Sequence, residues 1–168
     1  SFNGVNAAVD LGNWFNLQPF STAMWVKPGA SQLTSTDLID NNHGNVGWHS
    51  WSVEYSNTGL RFGWGFYCTG GVSGSVAFDL KTNTWQYLVL TLDSNRLAQV
   101  YLDGQLQGSA TLPGAINYDG TQFLRLGRWA GGGRYFNGLM DEVDIYNRAL
   151  AVSEIQALYS ASVTGKCQ

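Results

Sequence analysis

The chain has 168 residues, long enough to bury a sizeable core, and only 12% of them are charged, against about a quarter in an average soluble domain. Its net charge is -3 and its 21 glycines accompany 7 Trp, 8 Tyr and 8 Phe, a composition that suits short strands and tight turns. No basic field is present to draw a nucleic acid, and no apolar run approaches the length of a membrane span, so neither nucleic-acid binding nor membrane insertion is expected.

Taken in chain order, period-2 alternation in short segments predicts strands over 21–26, 38–40, 49–55, 60–66, 76–79, 85–92, 98–102, 123–126 and 138–146. Between them stand turn residues that tolerate positive φ, such as Ser56-Asn57-Thr58-Gly59 and Asp103-Gly104. One helix follows the last strand, with Ser153 as its cap and Glu154, Ile155, Ala157, Leu158 and Tyr159 in its body. The apolar side of that helix is expected against the edge of an all-β body. There is no repeat, low-complexity tract or linker, so residues 1–168 read as one domain.

Alternation also assigns faces. In 60–67 it sends Leu60, Phe62, Trp64 and Phe66 to the core, and Arg61, Gly63, Gly65 and Tyr67 outward. Two glycines between an Arg and a Tyr leave an open floor with polar walls, suited to a flat sugar ring; the alternative is that they relieve twist or form a bulge. In the last strand the same rule puts Asp141 on the side of Leu139, Val143 and Ile145. Its carboxylate would then face the interior and need a partner or a metal.

Two polar and aromatic loops stand out. The stretch Asp40-Asn41-Asn42-His43-Gly44-Asn45-Val46-Gly47-Trp48-His49 mixes amides, a carboxylate and an indole, the side chains that carbohydrate sites use; His43 and Trp48 are the candidate contacts. Zinc on its two histidines lacks a suitable third ligand nearby. The second loop, Arg128-Trp129-Ala130-Gly131-Gly132-Gly133-Arg134-Tyr135, offers Trp129, Arg134 and Tyr135 for stacking and donation. It has no Lys-Ser/Thr after its glycines and is not a phosphate loop; as structure alone it is a mobile or tightly bent hairpin.

Four motifs, in order, carry a family resemblance: Ser1-Phe2-Asn3-Gly4, Ala23-Met24-Trp25-Val26-Lys27-Pro28, Trp85-Gln86-Tyr87-Leu88-Val89-Leu90-Thr91-Leu92-Asp93 with Tyr101-Leu102-Asp103-Gly104, and Phe136-Asn137-Gly138-Leu139-Met140-Asp141-Glu142-Val143-Asp144-Ile145-Tyr146. Together they span nearly the whole chain, which resembles a laminin-G-like domain of the concanavalin A-like lectin/glucanase superfamily. The resemblance implies an all-β, concanavalin-like jelly-roll sandwich of two antiparallel sheets with a short C-terminal helix, and core positions for Trp25 and Trp85. It places sugar sites on the concave outer face of one sheet or in the rim loops. It also implies a structural calcium ion between the first and last strands, with Asn3 and Asp141 as the matching ligands and hard oxygen donors. The alternative for Asp141 is a carboxylate that accepts backbone N–H groups.

Glu142-Val143-Asp144-Ile145-Tyr146 resembles the Glu-x-Asp-x-Glu strand of retaining glucanases, in which paired carboxylates flank the scissile bond. Here the third position is Tyr146, a poor proton donor to a glycosidic oxygen, so catalysis is not expected of it. Cys68 and Cys167 read either as one disulfide tying the C-terminal tail to a strand, or as two free thiols, or as a Cys167 paired elsewhere.

These readings make the domain a non-catalytic carbohydrate-binding module of a secreted or surface protein, excised from a larger multidomain chain that processes polysaccharide. Its partner is a polysaccharide or glycan, met by His43, Trp48, Arg61, Tyr67, Trp129, Arg134 and Tyr135. The alternatives are an extracellular adhesion or protein-interaction domain and, beyond that, a glycoside hydrolase or lyase.

Overall fold

The structure, a computed structural model, describes residues 1–42, 50–56 and 61–163. Its strands are β1 (Phe2–Asn3), β2 (Val9–Asp10), β3 (Phe20–Pro28), β4 (Ser35–Asp40), β5 (Ser50–Ser56), β6 (Arg61–Cys68), β7 (Val72–Phe78), β8 (Gln86–Leu92), β9 (Leu97–Leu102), β10 (Gln105–Thr111), β11 (Arg125–Leu126) and β12 (Asn137–Tyr146), followed by the helix α1 (Val152–Val163). They form two six-stranded antiparallel sheets, β1-β12-β3-β8-β9-β10 and β2-β11-β4-β5-β6-β7. This is the expected all-β jelly-roll-like sandwich with one C-terminal helix.

The inner faces meet over an aromatic core. Phe15, Phe20, Trp51, Trp64 and Phe66 are all essentially sealed from solvent. Their rings touch in chains, with Phe15 5.0 Å from Phe20, Phe20 5.2 Å from Trp51, and Trp64 4.5 Å from Phe66. Each such pair adds about 0.5–1.5 kcal/mol to the area it buries. Phe62, Trp64 and Phe66 point inward as the alternation requires, so Gly63, Gly65 and Tyr67 face out.

The two outer faces differ. Strand β8 is buried along its whole length, because its inner side chains Leu88, Leu90 and Leu92 fill the core while Tyr87 and Val89 lie beneath α1. That burial on both faces explains why the strand reads as an almost continuous apolar run. Trp25 and Tyr87 of the sheet pack as a cluster with Tyr159 of the helix, at centroid distances of 5.4 to 6.2 Å. The helix begins two residues earlier than expected. Ala151 supplies the first helical acceptor, to Ile155 N, and its own N–H donates to Glu154 Oε2 at 2.8 Å, leaving Ser153 inside the first turn. Ser21 Oγ holds the linker from the strand side, accepting from Leu150 N and donating to the Arg148 carbonyl.

Two expectations, for Trp85 and Asp141, are corrected, and strand β10 was not foreseen. Trp85 precedes β8 and is 40% exposed, so it is not a core residue. Strand β10 has no apolar alternation because it is an edge strand with mostly exposed side chains; only the Asp103-Gly104 turn, with both residues at positive φ, announces it. Asp141 points away from the core. A bulge between Asp141 and Asp144, with Glu142 at φ 49°, resets the alternation, so that Met140, Val143 and Ile145 pack inward and Asp141 is exposed.

Gly127 joins the elements at one end of the sandwich. Its N–H donates to the Leu38 carbonyl, its carbonyl accepts from Phe136 N, and the Phe136 carbonyl accepts from Gly4 N. Its φ is 78°, and a Cβ there would run into the ring of Phe2. Gly127→Ala therefore combines a left-handed backbone penalty with overpacking, and is expected to cost about 2–4 kcal/mol, read as a lowered midpoint in urea unfolding.

Candidate functional site

Among the described residues no helix packs on the outer face of the second sheet, and register shows what that face presents. Arg125 of β11 stands opposite Asp10 of β2 on one side and Asp40 of β4 on the other. Asp40 faces Ser52 of β5, Ser52 faces Gly65 of β6, and Gly65 faces Ser75 of β7. A second line crosses the same face through Asp37, Glu54, Gly63 and Ala77. The outward positions thus change from charged to small on passing from β4 to β7.

Over β5 to β7 the small residues leave a groove of about 330 Å³, lined by Glu54, Ser56, Gly63, Gly65, Ser75 and Ala77 among the described residues. A Cβ on Gly63 would meet nothing within 4 Å, and one on Gly65 only the Ser52 carbonyl at 4.0 Å. The glycines therefore do not make room for a neighbouring side chain. They leave backbone bare at the floor, and β6 pairs there without a register shift, which excludes the bulge alternative.

On the β4 side the groove meets a wall built by the segment after β11. The chain leaves that strand at Gly127 and returns to the same edge of β4 at Arg134 and Tyr135, where the Asp37 N–H donates to the Arg134 carbonyl at 2.9 Å and Tyr135 bridges to Asp37 in parallel. The glycine-rich stretch between is a tight turn. Gly132 N donates to the Trp129 carbonyl, Gly132 and Gly133 have φ of 85° and 76°, and a Cβ on Gly131 would clash with the Trp129 indole. Arg134 itself has φ 50°, an uncommon conformation for a non-glycine residue. Its guanidinium lies 4.6 Å above the Trp129 ring, and its Nη1 donates to Glu54 Oε2 at 3.2 Å and stands 3.9 Å from Asp37 Oδ2.

The carboxylates beneath the wall are out of reach of solvent. Asp37 and Asp40 are fully buried, and the Asp37 carboxylate has no hydrogen-bond partner among the described residues. Burial, then the charges of Asp40 and Glu54, push Asp37 well above the usual carboxylate range, against the pull of Arg134. Asp40 is raised to about 7 by burial, offset in part by backbone bonds from Asn42 and Ala130 and by Arg125, whose Nη1 is 3.9 Å away. Tyr67 joins this network: burial and the Glu54 charge raise its phenol.

Of the residues singled out in the sequence, Tyr67, Trp129, Arg134 and Tyr135 come together around the wall. Arg61 opens β6 opposite Ser56, with its side chain outside the described set; His43 and Trp48 lie outside the described residues. Glu54, Asp37 and Ser75 were not anticipated. Glu54 was legible, since Ser52, Glu54 and Ser56 alternate with Trp51, Val53 and Tyr55; the burial of Asp37 depends on a segment far along the chain. Cys68 is buried at the end of β6, its thiol raised by burial, and Cys167 lies outside the described residues.

Asn3 and Asp141 do not fit a shared calcium site. Asn3 pairs with Asn137, four residues along β12 from Asp141, and its Oδ1 already accepts from the N–H groups of Val5, Asn6 and Ala7, each at 3.0 Å. Asp141 Oδ1 accepts from Glu142 N at 2.9 Å, the local role foreseen as its alternative. Among the described residues no group of three or more His, Cys, Asp and Glu side chains is placed to hold a metal ion.

The buried Asp40 gives a pH dependence with a definite sign. Because its folded pKa lies above the unfolded value, the folded state binds more protons between about pH 4 and 7, and stability falls as pH rises through that window. Urea unfolding at intervals from pH 4.5 to 8 should show this loss, and Asp40→Asn should flatten it.

Similar architecture recurs in solved structures. The Ruminococcus gnavus IT-sialidase CBM40 bound to alpha2,3 sialyllactose superimposes with a TM-score of 0.72 at 16% identity, covering 95% of this chain and 95% of that one. Domain 4 of AbnA, a GH43 extracellular arabinanase from Geobacillus stearothermophilus solved with arabinotriose, gives 0.69 at 22% identity, over 94% of this chain and 74% of that one. The botulinum neurotoxin type G receptor-binding domain gives 0.69 at 16% identity, and the chain, 96% covered, spans only 46% of its length. At these identities the likeness is one of fold. The sequence model described as the concanavalin A-like lectin/glucanases superfamily, of laminin-G type, matches residues 3–156. The chain belongs to that superfamily.

Proposed function

We propose that the domain is a non-catalytic carbohydrate-binding module of a secreted or surface protein that acts on or adheres to polysaccharide. The observation that carries this reading is the bare-backbone groove on the sheet face that α1 leaves open, walled by Glu54, Ser56 and Ser75 and flanked by the Trp129–Arg134 stack. A sugar ring is flat on one side and rimmed by hydroxyls. Its face can lie on the Gly63 and Gly65 backbone while its hydroxyls donate to the Glu54 carboxylate and exchange bonds with the serine hydroxyls. The Arg134 contact fixes Glu54 before the ligand arrives, which lowers the ordering cost of binding. Structures of similar fold were solved with sialyllactose and arabinotriose bound, in keeping with a glycan as partner.

Two features favour binding over hydrolysis. Asp37, the carboxyl group best held in its protonated form, lies under the wall with a side chain only 1% exposed, where no glycosidic oxygen reaches it. The Glu142 to Tyr146 stretch belongs to the other sheet, where Tyr146 packs in the cluster beneath α1. Among its described lining residues the groove holds one carboxylate and no paired acid and nucleophile, which supports recognition over hydrolysis. Its affinity for one saccharide unit is expected to be weak.

The test is retention on a broad panel of glycans and insoluble polysaccharides, with and without chelator, with product release followed in the same wells. Selective retention without product supports the reading, and the chelator arm shows whether calcium takes part. Gly63→Val fills open space on a strand where a β-branched residue is well tolerated, so it is expected to leave the melting temperature within a few degrees of the parent while lowering retention at least about tenfold. Trp129→Ala is expected to weaken retention similarly, by loss of a stacking surface worth roughly 1–2 kcal/mol. Gly63→Val retained as well as the parent would remove this groove from consideration, and released oligosaccharide would make the domain an enzyme.

A further inference from the structure

We infer that the groove selects uncharged saccharides over glycans bearing a carboxylate, with Glu54 as the residue that sets the selectivity; this rests on the carbohydrate-binding reading above. Among the described lining residues Glu54 is the charged one, the rest being serines, glycines, an alanine and the backbone at Phe62. Its side chain is 43% exposed, so it meets whatever occupies the groove. A carboxylate only accepts hydrogen bonds. Sugar hydroxyls, which donate freely, satisfy it; a uronate or sialate carboxylate meets a like charge with no proton between them.

Arg134 does not reverse this balance. It donates to Glu54 at 3.2 Å and stacks on Trp129, so its charge is directed to a carboxylate of its own chain. Arg125 and Arg128 lie beyond β4, each within 4 Å of Asp10, and Arg125 also approaches Asp40. Arg61 begins β6 opposite Ser56 and is the remaining cation in register with the groove, which makes it the residue to vary.

The experiment pairs each neutral glycan with its acidic counterpart on one array, galactan with polygalacturonate and lactose with α2,3-sialyllactose among them, and includes Glu54→Gln, Arg61→Ala and a salt series. The parent is expected to retain neutral members at least about tenfold better than acidic ones. Glu54→Gln is expected to narrow that gap by at least several fold, because neutral retention falls with the loss of the charged hydroxyl acceptor while acidic retention is relieved of the like charge. Arg61→Ala is expected to leave the preference unchanged. The parent alone supplies an independent readout: neutral retention should be flat with salt, while the acidic members gain as repulsion is screened. Acidic glycans held as well as their neutral partners, or acidic retention that disappears in Arg61→Ala, would overturn the selectivity while leaving the carbohydrate reading intact. Failure to retain any glycan on the full panel would remove the carbohydrate reading itself, and this inference with it.

Discussion

The packing of α1 on the outer face of the β1-to-β10 sheet is the interaction on which the functional geometry depends. Tyr87, Val89 and Tyr101 leave that sheet on the side away from the core, and uncovered they would expose a large aromatic patch of the kind that drives association. Ile155, Leu158 and Tyr159 close over them, and Ser21 together with the Glu154 contacts fixes where the helix starts. A sandwich has two outer faces, and this one is committed to stability. The other presents serines and glycines at the outward positions of β5 to β7, where no helix of the described residues packs over them.

On that open face, strain and desolvation are concentrated at the wall. Asp37 and Asp40 are buried without the full set of partners a carboxylate normally has, a situation that costs stability wherever they ionise. Arg134 occupies a left-handed conformation that disfavours side chains with a Cβ. These costs coincide in space. The guanidinium stands 3.2 Å from Glu54 and lies over Trp129 from the residue that closes the glycine turn. The turn that lifts it also lays backbone over β4. Local expense of this kind persists where the surrounding structure over-determines it, and such sites are commonly functional.

Much of the fold was legible because alternation is a short-range rule that survives wherever a strand has one buried face. The 62–67 segment shows it at its clearest: aromatic residues at every second position, glycines between, and the same faces in the structure. Legibility failed where something outside the strand intervened. One extra residue in the β12 bulge reversed the side to which Asp141 points, and no pattern in the sequence marks the bulge. Strand β10 was invisible because an exposed edge has no core to impose a period. At the site, Trp129, Arg134 and Tyr135 could be named because an aromatic and basic loop stands out against a chain poor in charge. Asp37 could not, since its burial depends on residues nearly a hundred positions away returning to the same strand edge.

The bulge also bears on how this domain relates to the hydrolases of its superfamily. In a regular strand, Glu142, Asp144 and Tyr146 would share one face, and a single substitution would separate the chain from a catalytic Glu-x-Asp-x-Glu arrangement. With Glu142 at φ 49° and the register broken between Asp141 and Asp144, the three positions no longer form a regular row. Tyr146 is drawn under the helix, and Asp144 accepts from its hydroxyl at 3.4 Å. A glutamate at 146 would therefore stand half-buried against the cluster beneath α1, out of line with Glu142. The distance from catalysis is a matter of backbone register and helix placement, which one side chain cannot undo. The same helix covers this face and leaves the outer face of the other sheet without it.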